Sequence, residues 1–402
     1  MVFDMDITIY PKKLSGTVRA VSSKSVAHRM LICAAFSDGP TELECTDTNQ
    51  DIEATVGCLQ ALGAEIVRTD SGYRIIPVTN LPEQAVLDCR ESGSTLRFLL
   101  PVVCALGVNA TIYMSGRLPY RPLSPLWEEL ERMGAKLSRP TEATICINGQ
   151  LLPGDYTVSG SVSSQFITGL LLATALIPGQ SHITITGKLQ SKPYVDITKQ
   201  VMSVFGIHND DNIITGCRPF HTPGLVWVEG DWSNAAFFLV AHKLGSCVNV
   251  THLNPDSVQG DRAIVSMLEQ SEEFQTVSAG DIPDLVPILA IFFGATSGAL
   301  ITDISRLRLK ESDRVDSVSR MMEAFGIQIE ATENTLQMSP GKFRSCTIDA
   351  AGDHRIAMAA AIGATIADGP VTILGAECVA KSYPKFWQDY KQLGGNYEQY
   401  IR

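Results

Sequence analysis

Several features are missing from this sequence, and each absence excludes a class of protein. The ten cysteines are scattered. Even the nearest pair, Cys33 and Cys45, lies too far apart for a CxxC or CxH pattern. Neither a zinc site nor a disulfide framework is expected, and the thiols read as buried apolar fillers of a protein kept in the reducing cytoplasm. Long apolar runs are also missing: stretches such as Val286–Ala295 fall well short of the roughly 18–20 residues that a membrane span needs. The opening MVFDMDITIYPKK has no basic region followed by an apolar stretch, so no signal peptide is expected. Positive charge is scarce, with Lys+Arg 32 against Asp+Glu 43 and a net charge of -11. An acidic surface repels nucleic acid and anionic membrane, and neither is expected as a partner. Any small anionic ligand must then be held by a local cluster of cations.

What is present is a chain of 402 residues, 45% hydrophobic and 19% charged. That is too long for one core to be the rule, so two domains are expected. A unit of near-constant length recurs along it. Each copy opens with a small polar cluster of good N-cap types ahead of an apolar helix. The clusters are SSKS at Ser22, SGST at Ser92, SSQF at Ser163, SNAA at Ser233, DIPD at Asp281 and GDHR at Gly352. A short strand with β-branched residues follows: Thr41–Cys45, Ala110–Met114, His182–Thr186, Val248–Leu253, Ala299–Ile304 and Pro370–Leu374. Five copies then show an amphipathic helix closed by glycine (Gly63, Gly134, Gly206, Gly326, Gly394) and another strand. MLEQSEEF in the fourth copy lacks the glycine. Repeated βαβ units predict an α/β protein with buried helices, three units to a domain. Helix N-termini carry partial positive charge and unbonded N–H groups, which suits phosphate and carboxylate ligands.

Eight cations stand at these turns and helix starts: Lys24, Arg29, Arg97, Arg121, Lys310, Arg314, Arg355 and Lys381. Any one of them alone is better read as a solvated charge. Lys24, Ser25 and Arg29 fall in SSKSVAHR, where the chain enters an apolar helix. Gly93, Ser94 and Arg97 fall in SGSTLRF, where a glycine lets a ligand approach the backbone. Arg117 and Arg121 sit in a stiff Pro-containing loop. SSQF supplies Ser163, Ser164 and Gln165, and SKPYVDIT supplies Ser191, Lys192 and Tyr194, with Asp196 bonding locally. Asp284 faces the apolar stretch LVPILA, so desolvation is expected to raise its pKa into the range useful for proton transfer. Alternatively, Asp281 caps the helix and Asp284 pairs with its dipole. LRLKESDR packs Arg306, Arg308, Lys310, Glu311, Asp313 and Arg314 together, and GDHR adds Asp353, His354 and Arg355.

The order SSKSVAHR, SGSTLR, YRPL, SSQF, SKPY, IPD, LKESDR, DHR, AKSYP resembles the 5-enolpyruvylshikimate-3-phosphate synthase family over essentially the whole chain. The resemblance implies two domains, each of three βαβαββ units around buried helices, an inside-out α/β barrel with six repeats in all. One domain is expected to span 1–21 and 232–402, the other 22–231, with the active site in the cleft between them. It implies a monomer that acts without metal or organic cofactor. The implied chemistry moves the enolpyruvyl group of phosphoenolpyruvate to the 5-hydroxyl of shikimate-3-phosphate through a tetrahedral intermediate. Lys24, Ser25, Arg29, Ser163, Ser164, Gln165, Ser191, Tyr194, Asp284 and Lys310 are the implied shikimate-3-phosphate contacts. Lys24, Gly93, Arg121, Gln165, Arg314, Arg355 and Lys381 are the implied phosphoenolpyruvate contacts. Asp284, Glu311 and Lys24 are the implied catalytic groups. The eight cations would offset the roughly six negative charges that the two substrates bring.

The chain departs from the family pattern in the donor loop, where Glu91-Ser92-Gly93-Ser94 replaces the usual Asn-Ala/Ser-Gly-Thr. Glu91 adds a negative charge near an anion site, whereas the retained Gly93 implies that glyphosate still fits. Arg306 stands where some members carry an amide, so that contact is not transferred. The alternative is the sister UDP-N-acetylglucosamine enolpyruvyl transferase. It normally carries a cysteine in the loop around Arg117–Arg121, and this chain has none between Cys104 and Cys146. A nucleic-acid-acting relative of the fold, the RNA 3′-terminal phosphate cyclases, is disfavoured by the net charge.

Overall fold

The computed structural model describes residues 5–207, 213–216, 219–270 and 272–401. Cys217, the His208 and Asn209 that follow the third closing glycine, Ser271 of MLEQSEEF and the first four residues of the opening lie outside the described residues. The chain divides into two compact units, Ser22–Glu229 in the middle and Met1–Val21 with Gly230–Arg402. Residues 230 and 231 thus belong to the unit that contains both chain ends.

The middle unit carries helices α1 (Lys24–Ala35), α2 (Gln50–Ala61), α3 (Gly93–Leu106), α4 (Leu126–Arg132), α5 (Ser164–Thr174) and α6 (Lys192–Val204). The apolar helices α1, α3 and α5 are buried almost along their whole length, as all-round apolar helices must be. Helix α5 lies so close to α3 that a Cβ at Gly169 would stand 2.9 Å from Pro101 Cγ and closer still to the Arg97 carbonyl oxygen. The sheets lie outside these helices. In one, Gln84–Asp88 pairs parallel with Asn109–Tyr113, which continues antiparallel into Thr144–Gly149 and Ala135–Thr141. In a second, Asp155–Ser159 pairs parallel with Gly179–Thr186. In the third, Thr41–Glu44 takes its parallel partner, Leu225–Trp227, from the far end of the unit.

The other unit carries α7 (Trp232–Lys243), α8 (Ile264–Glu269), α9 (Val286–Ala295), α10 (Arg314–Ala324), α11 (His354–Ala364) and α12 (Phe386–Gln392). One sheet pairs Gln275–Ser278 parallel with Ala299–Thr302, followed by Thr335–Met338 and Ile329–Ala331 antiparallel. Another runs Cys346–Asp349, Val371–Leu374, Met5–Tyr10, Asn396–Ile401. Ser15–Arg19 pairs parallel with Cys247–Thr251. The core of this unit is built from α7, α9 and α11 together with the inward residues of those sheets. The parallel pair that brackets each of α3, α5, α9 and α11 is a βαβ crossover, so the fold is mixed α/β.

Local chemistry accounts for the helix ends. Ser92, Ser163, Asp231, Asp313 and Asp353 each accept a backbone N–H in the first turn of the helix they precede, which satisfies donors the helix itself cannot. The closing glycines 63, 134, 206, 326 and 394 all have φ between 77° and 111°, where a side chain would be strained. Two expectations about helix starts need correction. The helix expected at Ser233 begins one residue earlier and is capped by Asp231. The helix expected at Asp281 begins at Val286, behind Leu285, with Pro287 in its first turn. Asp281 therefore does not cap it, because DIPD is spent on a turn in which the Leu285 N–H donates to the Ile282 carbonyl.

Candidate active site

Each unit brings one set of the expected site residues together. In the middle unit the α1 sequence KSVAHR drives Arg29 into the interior, where it is 2% exposed. Its Nε donates to Thr198 Oγ1 at 2.7 Å and Nη1 to the Ser25 carbonyl at 2.6 Å. Nη2 donates to Thr168 Oγ1 at 3.2 Å and to the Tyr194 carbonyl at 2.9 Å. The guanidinium also lies over the Phe98 ring. No carboxylate among the described residues ion-pairs with it. Burial consequently pulls its pKa down to about 9. A buried cation held only by neutral acceptors gains from an incoming anion. Four of the five N–H donors are used by these bonds, which leaves one at Nη1.

Lys24 donates to Asp51 Oδ2 at 2.9 Å. Asp51 lies in the first turn of α2, which Asn49 caps. Beside it a buried polar ladder runs from His28 Nδ1 to Thr55 Oγ1 (2.7 Å), on to Thr95 Oγ1 (2.7 Å) and to the capping Ser92 Oγ (2.7 Å). Burial pushes the His28 pKa down to about 3, so the imidazole is neutral. The ladder fixes the turn that presents Gly93. There Gln165 bridges two neighbours: its Oε1 accepts from Arg97 Nη1 at 3.0 Å and its Nε2 donates to Ser94 Oγ at 3.0 Å. A Cβ on Gly93 would stand 2.8 Å from both Arg121 Nη1 and Arg97 Nη1. Gly93, Ser94, Arg97, Arg121 and Gln165 thus form one cluster. The Glu91 carboxylate folds back onto Gly116, occupying the place a Cβ there would need. Ser191 opens α6 with φ 56°, a left-handed conformation that is strained for serine. Ser164 is buried at the start of α5. Asp196 pairs with Lys192 at 2.6 Å, one turn along α6.

In the other unit the centre is Arg314, buried completely at the start of α10. Nε donates to Asp353 Oδ2 at 3.0 Å, Nη1 to Asp284 Oδ1 at 2.8 Å and Nη2 to Glu311 Oε2 at 2.8 Å. Asp353 serves twice, since it also caps α11 and accepts from Ser312 Oγ. Asp284 is gripped by three cations: Arg314, Arg355 Nη2 at 2.9 Å and Lys310 Nζ at 3.5 Å. Burial pushes the Asp284 carboxyl up, but the positive charges of Arg355, Lys310 and Arg314 outweigh it and hold it well below the usual carboxylate range. The expected rise at Asp284 is therefore overturned. The apolar stretch after it is buried, yet the cations that decide the shift come from positions 310, 314 and 355. Burial draws Lys310 down to about 8 against the opposing pull of Asp284. Lys381 is buried at the end of the turn Ala376–Lys381, ahead of α12.

Sequence reasoning missed four residues of the two units. Asp51 was legible only as an acid in a helix first turn. Thr168 and Thr198 sit on apolar helix faces with no motif around them. Asp261, in the short turn Gly260–Ala263, is buried, and its carboxyl is pushed up to about 7 by burial and by Asp284. The raised carboxyl expected at Asp284 is found at this neighbour instead. No group of three or more His, Cys, Asp or Glu arranged to hold a metal ion is found among the described residues. No helix among them is long and apolar enough to cross a membrane.

Mixed α/β units with buried crossover helices and anion-ready helix starts define a structural class that solved proteins share. The chain superposes on the EPSP synthase of Acinetobacter baumannii with TM-score 0.80 at 23% identity, covering 98% of this chain and 100% of that one. It superposes on the enolpyruvyl transferase NikO of Streptomyces tendae with TM-score 0.78 at 18% identity, covering both chains fully. The fold is thus that of the enolpyruvyl transferases. In sequence, residues 9–390 match the EPSP synthase (3-phosphoshikimate 1-carboxyvinyltransferase) family, and the chain belongs to that family. A 3-phosphoshikimate 1-carboxyvinyltransferase of Clostridium kluyveri is 38% identical, covering 98% of both chains. One of Clostridium botulinum strain Alaska E43 is 35% identical, again covering 98% of both.

Proposed function

We propose that the protein transfers the enolpyruvyl group of phosphoenolpyruvate to the 5-hydroxyl of shikimate-3-phosphate and releases phosphate, the 3-phosphoshikimate 1-carboxyvinyltransferase reaction. The observation that supports this reading most is the ionised Asp284, which lies against Arg314, Arg355 and Lys310 with Glu311 bonded to the same Arg314. Preset charges of both signs need no reorganisation when charge develops on the substrates. In the reaction the 5-hydroxyl oxygen bonds to C2 of the donor, loses its proton to a base, and C3 takes up a proton. The C2–O bond to phosphate then breaks while C3 gives up a proton, which restores the double bond. On this reading Asp284 and Glu311 carry the two proton transfers between them, and Lys24 assists at the phosphate or at the hydroxyl.

Arg29, Ser25, Ser163, Ser164, Ser191, Tyr194 and Lys310 are assigned to the acceptor, and Gly93, Arg121, Gln165, Arg314, Arg355 and Lys381 to the donor. With this reading go the finer architecture of six βαβαββ repeats in two inside-out barrels and a cytoplasmic monomer. Phosphate release from phosphoenolpyruvate is the test, with shikimate-3-phosphate and UDP-N-acetylglucosamine as rival acceptors. Release with the first alone is expected, and release with the UDP-sugar alone would move the chain to the sister activity. Near-wild-type turnover in Asp284→Ala or Glu311→Gln would remove that residue from the proton path.

A further inference from the structure

Arg121 reaches the donor cluster from loop 115–125, where Leu118–Tyr120 form one tight turn. Arg121 closes that turn, its N–H donating to the Leu118 carbonyl at 3.1 Å. In the cluster Arg121 Nη1 and Arg97 Nη1 stand 2.8 Å from the same point, a built Cβ on Gly93. Two guanidinium groups so placed repel each other, and ties at the loop backbone oppose that repulsion. Two ties come from the donor turn and its helix. The Ser115 N–H donates to the Arg90 carbonyl at 2.7 Å, and Arg97 Nη2 donates to the Pro122 carbonyl at 3.0 Å.

The third tie comes from a hairpin that contributes none of the assigned site residues. Its strands Ala135–Thr141 and Thr144–Gly149 shift register between Ser138 and Thr141. Pro140 has no N–H to give to a ladder, and the bulge re-aims the exposed Arg139. Arg139 Nε and Nη2 both donate to the Glu142 carbonyl, at 3.1 Å and 2.7 Å, which fixes the guanidinium at the hairpin end. The same Nη2 donates to the Pro119 carbonyl, in the middle of the turn that Arg121 closes. The Met114 N–H donates to the Ala143 carbonyl at 2.9 Å, so the hairpin end also holds the loop at its root.

We propose that Arg139 is a positioning residue of the donor site, a clamp on the Pro119 carbonyl that sets where Arg121 meets the anionic donor. This role rests on the enolpyruvyl-transfer reading. Without the clamp, repulsion from Arg97 lets the Arg121 turn back away, and donor binding has to order it again. The loss therefore falls on the KM for phosphoenolpyruvate. The residues assigned to the acceptor belong to other elements, so the acceptor KM is the internal control.

Arg139→Met keeps the aliphatic stem and removes every donor, and Arg139→Gln is a second variant with the same expectations. The KM for phosphoenolpyruvate is expected to rise about fivefold. The kcat and the KM for shikimate-3-phosphate should stay within about twofold of wild type. Arg139→Lys, whose ammonium can still donate to both carbonyls, should recover most of the loss. An unchanged donor KM, a rise shared by the acceptor, or a loss that Arg139→Lys does not recover overturns the clamp. A wild type without turnover would count against the enolpyruvyl-transfer reading instead, and the clamp is then read by trypsin. Trypsin does not cut before proline, so Arg121 and position 139, which precede Pro122 and Pro140, give no cut, whereas Arg117 is exposed and followed by Leu118. Cleavage after Arg117 should be several-fold faster in Arg139→Met than in wild type. Equal rates overturn the proposal whether or not the enzyme turns over.

Discussion

Two glycines in helices of the middle unit should respond to the same substitution with opposite signs. Gly169 lies in α5 against α3, and Gly57 lies in α2 with nothing within 4 Å of a built Cβ. Alanine at Gly57 gains helix propensity and restricts the unfolded chain, so it should stabilise by about 0.5–1 kcal/mol. Alanine at Gly169 gains the same propensity but drives a methyl into the Arg97 carbonyl and to 2.9 Å from Pro101 Cγ. Neither obstacle can rotate away as the end of a flexible side chain would. Overpacking of this kind typically costs about 1–3 kcal/mol. The shared propensity gain cancels, so the two variants should differ by about 1–3 kcal/mol in urea unfolding, read from midpoints at matched slopes. A second readout comes from the site. Pushing α3 from α5 stretches the 3.0 Å bond between Arg97 and Gln165, so Gly169→Ala should raise the KM for phosphoenolpyruvate and Gly57→Ala should not. If Gly169→Ala is as stable as wild type, or both variants shift in the same direction, the close-packing argument is wrong.

Three further outcomes are expected. Gly93→Ala places a methyl 2.8 Å from Arg121 Nη1. Because Arg97 is tied to Gln165 and to the Pro122 carbonyl, Arg121 should yield, weakening glyphosate and the donor in inhibition and KM assays with little change in Tm. Arg314→Met leaves Asp353 buried beside an emptied ion pair, a loss of about 3–5 kcal/mol in denaturant unfolding, and Arg314→Lys should recover only part of it because a compact ammonium lacks the planar fork whose three nitrogens each meet a different carboxylate. Asp284 is depressed when folded, so its stabilising contribution is present above its ordinary value near 3.8 and lost as pH falls through the folded one. Stability measured against pH should accordingly fall less steeply on the acid side in Asp284→Asn than in wild type.

Much of the fold could be read in the sequence because its signals are local. The capping serines and aspartates, the glycines in left-handed closure and the all-round apolar helices each act within a few residues. DIPD misled because Pro287 pushed the helix start beyond the polar cluster. At the site, the residue types in LKESDR and DHR were visible, but not that Arg314 would be sealed between Asp353, Glu311 and Asp284. That arrangement draws on partners 30 and 39 positions away from Arg314. The pKa of Asp284 could not be read for the same reason. Its apolar neighbour is adjacent in sequence, and the cations that win against burial are not. Asp51 carries no motif, and only packing sets it against Lys24.

The strand pairing has a consequence for synthesis on the ribosome. Thr41–Glu44 waits for Leu225–Trp227, and Ser15–Arg19 for Cys247–Thr251. The first strand, Met5–Tyr10, waits longest: its neighbours are Val371–Leu374 and Asn396–Ile401. Residues 22–229 can thus complete their own core while the rest of the chain is still being made. The early strands Met5–Tyr10 and Ser15–Arg19 must stay unpaired for most of translation. Met5–Tyr10, with its alternating apolar and polar residues, then needs shielding from neighbouring edges.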